Sequence, residues 1–478
     1  MNYRMIGKIS GMVLLCLAAL MLLPLAAALC FGESARPFLL SITLSALLGV
    51  LLYNIPQRSR ALYARDGFVA VSLAWIAMGL LGALPYYFSG DIPSPVDAVF
   101  ESMSGFTTTG ATILRDIEGL SRGCMFWRLF SQWIGGMGVL VFMMAVMPMN
   151  GEHSMHIMRA EFPGPNVGKL VPRVRDTARV LYLIYVSMTV LETLLLRLGG
   201  MSFYDALLHA FATAGTGGFS TEAESLAAFD SRYIELVVAI FALLFSTNFN
   251  LFFLILVGRA RVALRSEELR VYLLTVLFST LTIALNIRHL YASSAFALRH
   301  AFFNTAMVIT TSAFNTVDYT AWPEYSKLLL VLLMISGACA GSTCGGFKLS
   351  RIIMLVKAGF AELRRMSHPR SVSRVQLDGK RVESGTVRAV LVYFFLYVSV
   401  ILLTTLLLST GGRDISTNLS AAIACLSNIG PGMGLIGPSG NYTIFSTAGK
   451  LLLCLVMLLG RLELYPLLVT LRPSTWKK

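Results

Sequence analysis

The chain has 478 residues, of which 56% are hydrophobic and only 13% are charged, and its net charge is +14. Soluble globular proteins usually carry about 25% charged residues, so the composition excludes an ordinary soluble domain and predicts an all-α membrane protein. The positive charge does not indicate nucleic-acid binding, because it lies in short segments between apolar runs rather than on one polar face.

Two apolar segments open the chain, and we predict that they span the membrane at about residues 5–31 and 38–54. A span needs about 20 apolar residues, and several later runs, such as VLYLIYVSMTVLETLLL and VRAVLVYFFLYVSVILLTTLLL, come close to that length or exceed it. The first run is too long for a cleavable signal peptide and is followed by no obvious small-residue cleavage site. We therefore expect it to remain as a membrane helix.

Basic and acidic residues alternate between successive loops. By the positive-inside rule, the basic loops lie in the cytosol together with the N-terminus, which carries Arg4 and Lys8. The basic loops hold Arg58, Arg60, Arg65, Arg159, Lys169, Arg173, Arg175, Arg179, Arg259, Arg261, Arg265, Arg270 and the stretch 348–388. The outer loops are expected to hold Asp97, Glu101, Asp116, Glu118, Asp205, Glu222, Glu224, Asp230, Asp318 and Glu324.

Four similar segments of fourteen residues recur about every 100 residues, and each lies between two apolar runs. They read DAVFESMSGFTTTG (ending at Gly110), DALLHAFATAGTGG (Gly218), HAFFNTAMVITTSA (Ala313) and TNLSAAIACLSNIG (Gly430). The repeated unit is therefore a span, a short helix, a polar stretch and a second span. Predicted N-caps of the short helices are Asp97, Asp205, Thr417 and, less favourably, His300.

A helix of about ten residues covers roughly half of the hydrocarbon core, so each short helix can enter the membrane and stop near its middle. The irregular backbone that follows is tolerated there only if it is buried in protein or lines a water-filled cavity. Glycine permits backbone angles that point successive carbonyl groups the same way, and rings of carbonyls replace the hydration shell of a monovalent cation. We therefore predict a cation filter built around an axis.

The alignment of the four segments places the predicted filter residues in three columns. The first column contains Thr108, Thr216, Thr311 and Asn428; the second contains Thr109, Gly217, Ser312 and Ile429; the third contains Gly110, Gly218, Ala313 and Gly430.

The sequence GSTCGGFK interrupts the span that follows the third segment. Its glycines indicate either a packing kink or a mobile gating loop, and the residues alone leave both open. Arg461 lies within the last long apolar run, where an arginine normally faces a cavity or a partner. From the residues alone it is expected either to form a structural ion pair, with Glu463 or an acid from another span, or to face a cavity.

Other chemistry is weakly indicated. Glu152, His153 and His156 share a loop but are a poor candidate for a metal site, and the seven cysteines show no metal-ligand spacing. Arg128 and Glu192 are predicted to be interfacial or paired, and Gly135, Gly136 and Gly138 to serve helix packing. No nucleophile–base pair, Walker loop or dinucleotide fingerprint stands out, so we expect neither an enzyme nor a nucleotide site in this chain.

The stretches SGFTTTGAT, ATAGTGGFST, ITTSAFNTVDYTAWP and LSNIGPGMG resemble the Trk/Ktr/HKT superfamily of potassium transporters, in particular its TrkH branch. GACAGSTCGGFKLSRI and LLGRLELYP are also similar to this branch, and the resemblance covers nearly the whole chain. The first stretch implies an intramembrane gating loop, which we place at Gly341, Ser342, Thr343, Gly345 and Gly346, with Lys348 as its cytosolic anchor. The second implies that Arg461 belongs to this gate and projects toward the pore beneath the filter, where its charge would hinder cations.

The resemblance implies a potassium-channel-like fold with pseudo-fourfold symmetry and two extra N-terminal helices. Its divisions are residues 1–60 for the extra helices, then 61–150, 151–258, 259–368 and 369–478 for four pore repeats. It further implies K⁺ as the transported ion without a bound cofactor, a homodimer, a cytosolic nucleotide-binding ring of TrkA type, and a bacterial inner membrane. Whether uptake is a symport with H⁺ or Na⁺ stays open.

One residue departs from the family pattern, because Ala313 stands where glycine is expected. Its Cβ penalises a positive φ by about 1 kcal/mol or more, which weakens the expectation of strict K⁺ selectivity. The alternatives are thus a Na⁺-preferring relative of the same fold and, less favoured, a secondary solute transporter with broken helices.

Overall fold

The protein is described by a computed structural model that covers residues 1–56, 63–138, 174–368 and 375–476. In these ranges the regular structure is helical except for one antiparallel hairpin, in which β1 (Gln376–Leu377) pairs with β2 (Lys380–Arg381) and Gln376 faces Arg381. The prediction of a predominantly helical protein is confirmed.

The helices before the undescribed stretch 139–173 are α1 (Tyr3–Leu20), α2 (Leu22–Cys30), α3 (Arg36–Tyr53), α4 (Ala64–Gly82), α5 (Leu84–Ser89), α6 (Pro95–Phe106) and α7 (Arg122–Met137). The next group contains α8 (Val174–Leu198), α9 (Phe203–Gly215), α10 (Arg232–Phe245), α11 (Phe249–Leu256), α12 (Ala260–Leu264), α13 (Glu267–Ile287), α14 (Ser294–Ile309), α15 (Glu324–Ser336) and α16 (Leu349–Ser367). After the hairpin follow α17 (Ser384–Ser409), α18 (Ile415–Ser427), α19 (Thr447–Arg461), α20 (Tyr465–Leu471) and α21 (Pro473–Trp476).

Six helical stretches of the described chain are long and apolar enough to cross a membrane, or seven if the pair α10–α11, bent by 90°, counts as one span. The molecule is apolar outside, where Leu183, Leu274 and Leu402 are each more than 60% exposed. Its centre is polar, with Thr108, Thr216 and other hydroxyl side chains fully buried. This inside-out distribution fits a multi-pass membrane protein, because lipid solvates leucine and water does not.

Four short helices, α6, α9, α14 and α18, occupy this centre. The predicted N-caps are wrong, because each helix begins earlier: the caps are Ser94, Ser202, Ser293 and Asp414. Each cap accepts a hydrogen bond from the backbone N–H three residues on, as in Ser202 Oγ with Asp205 N at 3.1 Å. Asp97 and Asp205 lie instead in the first turn, where a carboxylate still favours the helix dipole.

The helices that follow the short helices connect them in a closed cycle. Helix α7 packs against α6 and α9, α10 against α9 and α14, and α15 against α14 and α18. Helix α19 then packs against α18 and against α6, the first of the four. Two ion pairs reinforce this cycle towards the N-terminal ends of the helices: Lys450 with Asp97 at 2.5 Å, and Arg299 with Glu235 at 2.6 Å.

Candidate functional site

A stretch of irregular backbone follows each short helix, and we call these stretches turn segments 1 to 4: residues 108–112, 216–220, 311–315 and 428–432. Their first residues, Thr108, Thr216, Thr311 and Asn428, have φ of +55°, +54°, +56° and +53°. The third residues, Gly110, Gly218, Ala313 and Gly430, have φ of +77°, +74°, +56° and +88°. The second residues, Thr109, Gly217, Ser312 and Ile429, do not have a positive φ.

A backbone that alternates between left-handed and ordinary angles points successive carbonyl groups to the same side of the strand. The first column contains no glycine, so each of its residues adopts a conformation that usually costs an L-amino acid about 1 kcal/mol or more. The same unfavourable angle in four separate places indicates that the fold imposes this geometry on every turn segment.

The turn segments contact one another in cyclic order. A Cβ on Gly110 would stand 1.9 Å from the carbonyl oxygen of Gly217, and one on Gly218 would stand 2.0 Å from that of Ser312. A Cβ on Gly430 would stand 2.6 Å from the carbonyl oxygen of Thr109, which returns the contacts to segment 1. In these three pairs the third residue of one segment lies against the carbonyl of the second residue of the next, and the third residues of all four segments line one cavity.

Most side chains of the first and second columns are hydrogen-bonded to protein atoms. Asn428 Nδ2 donates to Thr109 Oγ1 at 3.0 Å, which joins segment 4 to segment 1. Thr216 Oγ1 donates to its neighbouring carbonyl at 2.7 Å, and Thr109 Oγ1 lies 2.8 Å from Thr107 Oγ1. The ligands that the ring can offer along its axis are therefore mainly backbone oxygens.

The ring of turn segments separates two cavities. One is lined by Gly110, Gly218, Ala313 and Gly430, the third residues of all four segments. The other is lined by Asn428 together with Gly345, Lys348 and Arg461 of the predicted gate. The four third-column residues thus share one cavity, and Asn428 of the first column shares the other with Gly345, Lys348 and Arg461.

The interruption after α15 is a folded loop, which we call the inner loop (residues 337–348). Its end returns to its beginning, since the N–H of Lys348 donates to the carbonyl oxygen of Ser336 at 2.9 Å. Gly341 and Gly346 have φ of +71° and +77°, angles that favour glycine. The predicted break in this span therefore lies where the glycines are.

The inner loop touches the turn segments directly. The N–H of Gly345 donates to Thr311 Oγ1 at 2.9 Å, and a Cβ on Gly345 would stand 2.0 Å from the carbonyl oxygen of Ser427. Ser342 Oγ donates to the carbonyl of Cys339 at 2.6 Å, and Thr343 Oγ1 donates to that of Phe245 at 3.2 Å, at the bend between α10 and α11. The inner loop therefore packs between the turn segments on one side and the bend between α10 and α11 on the other.

Glu268 supports the inner loop and was not singled out from the sequence. Its Oε1 accepts hydrogen bonds from the N–H of Ala340 at 2.8 Å and of Ser350 at 3.1 Å, so one carboxylate joins both ends of the loop. The sequence offers no signal for this role, because Glu268 follows a helix cap among other charged residues and looks solvated.

Arg461 ends α19 and bonds to carbonyl oxygens rather than to an acid in the described part of the chain. It donates to Thr343 of the inner loop at 2.9 Å, to Gly136 at 2.6 Å and also to Gly135. The acid considered as its partner, Glu463, pairs instead with Arg351. Gly135 and Gly136 make close helix contacts as predicted, and they also supply these acceptors.

The side chain of Lys348 is buried and returns to the carbonyl oxygen of Cys344, which belongs to the same inner loop. The ammonium group therefore stabilises the fold of the loop. Lys348 directly precedes α16, and its role as a cytosolic anchor stays a prediction.

Glu101 was expected in a solvated outer loop, and that expectation is wrong. It lies on α6 with no exposed surface and pairs with Arg128 at 2.6 Å. Arg128 was predicted to be either interfacial or paired. It is paired, and it is buried rather than interfacial. Contact between these two charges could not be predicted from the sequence, because they lie on different helices.

Glu222 lines the outer of the two cavities. Burial of its carboxyl group and, after that, the negative charges of Glu118 and Asp205 raise its pKa above the ordinary value. A negative charge here attracts cations towards the ring, and it is lost at a higher pH than that of an isolated glutamate.

The weak metal candidate of Glu152, His153 and His156 lies outside the described residues. Within the described ranges, no group of three or more His, Cys, Asp or Glu side chains could hold a metal ion.

Comparison with known proteins gives concordant results. The profile of a family described as "TrkH: Cation transport protein" matches residues 34–478. The Trk system potassium uptake protein TrkH of Escherichia coli (strain K12) is 36% identical over the full length of both chains. TrkG of the same strain, also described as a Trk system potassium uptake protein, is 32% identical over 100% of this chain and 99% of its own.

The fold has a close counterpart among solved structures. The crystal structure of the potassium transporter TrkH from Vibrio parahaemolyticus superimposes with a TM-score of 0.90 at 34% identity, covering 100% of both chains.

Proposed function

Because this chain belongs to the TrkH family of cation transport proteins, we propose that it takes up K⁺ through a channel-like pore. The family is one of cation transporters and not of enzymes. The observation that carries the proposal is the closed ring of four turn segments with positive φ at the first and third positions of each. Such a ring offers stacked backbone oxygens to a dehydrated monovalent cation.

We assign the filter to the twelve residues of the three columns, and the pore architecture to four repeats of span, pore helix, filter and span. The cyclic packing of α7, α10, α15 and α19 on the short helices supports a pseudo-fourfold axis. The short helices end at the ring, so the negative ends of their dipoles favour a cation there. The repeats occupy residues 61–150, 151–258, 259–368 and 369–478, after two extra N-terminal helices.

The inner loop and Arg461 form the gate in this proposal. The loop is seated against the ring through Gly345, and Arg461 is bonded to the loop through Thr343. The charge of Arg461 beneath the filter raises the energy of a cation there, and the buried position of the loop narrows the passage. Opening requires these bonds to break.

The orientation and the partners rest on charge distribution and family resemblance. We place the N-terminus in the cytosol because the basic loops alternate with acidic ones, and we place the protein in a bacterial inner membrane because of its similarity to bacterial Trk proteins. We further propose a homodimer gated by a TrkA-type cytosolic nucleotide-binding ring. The membrane potential alone supplies about 2.3 kcal/mol per charge per 100 mV, so uptake does not require a symported ion.

A second candidate function is cation uptake with relaxed or Na⁺-preferring selectivity, and one observation favours it. Ala313 adopts φ +56° in the only third-column position that lacks glycine, so segment 3 is held in a less favourable conformation than the other three.

Ion flux decides between these candidates. The protein, purified and reconstituted in liposomes, should take up Rb⁺ or K⁺ down an imposed potential, and parallel measurements with Na⁺ give the selectivity. Addition of the cytosolic partner and nucleotide tests the gate. No flux of any monovalent cation, with or without that partner, would refute the proposal, whereas equal fluxes of K⁺ and Na⁺ would favour the second candidate.

A further inference from the structure

A buried ion pair lies behind turn segment 1. Glu101 is the fifth residue of the first repeated segment, and its carboxylate accepts hydrogen bonds from Thr112 Oγ1 at 2.9 Å and from the N–H of Ile113 at 3.0 Å. The same carboxylate receives Arg128 Nε at 2.6 Å. Since Glu101 and Arg128 are at most 1% exposed, neither water nor salt competes for these bonds. The pair therefore fixes the end of turn segment 1.

Arg128 also reaches the neighbouring turn segment. Its Nη1 donates to the carbonyl oxygen of Ser220 at 3.0 Å, and its guanidinium group lies 3.6 Å from the ring centroid of Phe219. One cation thus bonds to the carboxylate that holds segment 1 and to the backbone of segment 2. Because a guanidinium group is planar and rigid, it fixes the distance between the two segments.

His209 continues this arrangement behind segment 2. It is the fifth residue of the second repeated segment, as Glu101 is of the first, and its Nε2 lies 3.0 Å from Ser220 Oγ. Nδ1 lies 2.8 Å from the carbonyl oxygen of Asp205, which can only accept, so Nδ1 carries the proton and Nε2 accepts from the serine. The residues Glu101, Arg128, Ser220 and His209 form a continuous chain of bonds.

The corresponding residues of the other two repeats do not extend this chain. Asn304, the fifth residue of the third repeated segment, donates back to His300 of its own helix at 2.9 Å. The fourth repeated segment has Ala421 at that position, which has no polar side chain. Within the described residues, a charged side chain therefore links two turn segments from behind only between segments 1 and 2, where it is Arg128.

We propose that the Glu101–Arg128 pair is a positioning device that sets the spacing of turn segments 1 and 2 and thereby the preference for K⁺ over Na⁺. This inference rests on the proposed function, in which backbone oxygens of the segments bind the ion. The pair does not touch the ion. It prevents the two segments from closing around a smaller cation, because any approach would have to distort hydrogen bonds in a buried, low-dielectric site.

The test uses the full chain in liposomes and compares Glu101→Gln and Arg128→Lys. The first removes the charge of the carboxylate with little change of shape. The second keeps both charges but loses the guanidinium that reaches Ser220. We expect the ratio of K⁺ to Na⁺ flux to fall about tenfold in both, which corresponds to about 1.4 kcal/mol of discrimination. The K⁺ flux itself should change much less.

Glu235→Gln is the matched control, since it breaks the ion pair with Arg299, whose two bonds measure 2.6 and 2.7 Å. In the described part of the chain that pair joins α10 to α14 and is not bonded to a turn segment. We expect this variant to keep the wild-type flux ratio.

Each outcome decides the matter. The inference is overturned if either variant of the buried pair keeps the wild-type ratio, or if Glu235→Gln lowers the ratio equally. It is also overturned if neither variant of the buried pair accumulates in the membrane, because the pair then acts in folding alone. A wild-type protein without K⁺ preference would refute the proposed selectivity, and with it this inference. Failure confined to the variants leaves the proposed function intact.

Discussion

Replacement of Ala313 by glycine should increase the preference for K⁺ over Na⁺. Ala313 is 6% exposed and adopts φ +56°, while the glycines in the equivalent positions of the other segments have φ between +74° and +88°. An alanine in the left-handed region costs about 1 kcal/mol or more relative to glycine. The substitution lets segment 3 adopt the same angle as its neighbours.

The size of the effect follows from that penalty. If the whole backbone penalty of Ala313 opposes the ion-binding geometry of segment 3, its removal changes the ratio of K⁺ to Na⁺ flux about fivefold. That factor corresponds to about 1 kcal/mol. Stability should change little. The relief of strain in the folded state is offset by about 0.4–1 kcal/mol, because glycine gives the unfolded chain more conformational freedom.

The assay is K⁺, Rb⁺ and Na⁺ uptake by cells that depend on this protein for potassium, repeated in liposomes. Ala239→Gly is a matched control, because the same atoms are removed at a buried position of α10 away from the turn segments. It should lose about 1 kcal/mol of stability and leave the flux ratio unchanged. An unchanged ratio in Ala313→Gly would refute our account of segment 3.

Three further predictions concern the gate and the outer cavity. Arg461→Ala should raise basal cation flux severalfold in liposomes without the partner, and an unchanged flux would argue against a barrier at this position. Gly345→Ala should alter basal flux because its Cβ would stand 2.0 Å from the carbonyl of Ser427, whereas Gly359→Ala, with no atom within 4 Å of the new Cβ, should not. Glu222→Gln should slow uptake at low salt. The difference in uptake rate from wild type should vanish at about 1 M salt, and also as pH falls through the raised pKa of the Glu222 carboxyl. A difference that persists in high salt would exclude charge steering.

Much of the site could be predicted because the signal is local and repeated. Each column of the proposed filter came from residues adjacent in sequence, and the positive φ of the third positions was indicated by glycine at three of the four. The break after the third repeat was likewise marked by its own glycines. The helix starts were misplaced because aspartate is a good cap as well as a good first-turn residue, and Ser94 and Ser202 took the cap position.

Contacts between distant residues could not be predicted in this way. Glu101 looked like a loop carboxylate because its partner, Arg128, lies on the next helix. Glu268 likewise carries no local sign that it joins Ala340 to Ser350. Charged residues such as these are placed by packing, which the spacing of apolar residues does not record.

The sequence by itself determined that the chain is a helical membrane protein with four related segments, because hydropathy and repetition are properties of neighbouring residues. Only the tertiary structure decided which helices pack on which, how the turn segments close into a ring, and which buried charges support them. These features depend on side chains that meet across the fold, where low dielectric and close packing make each partner specific.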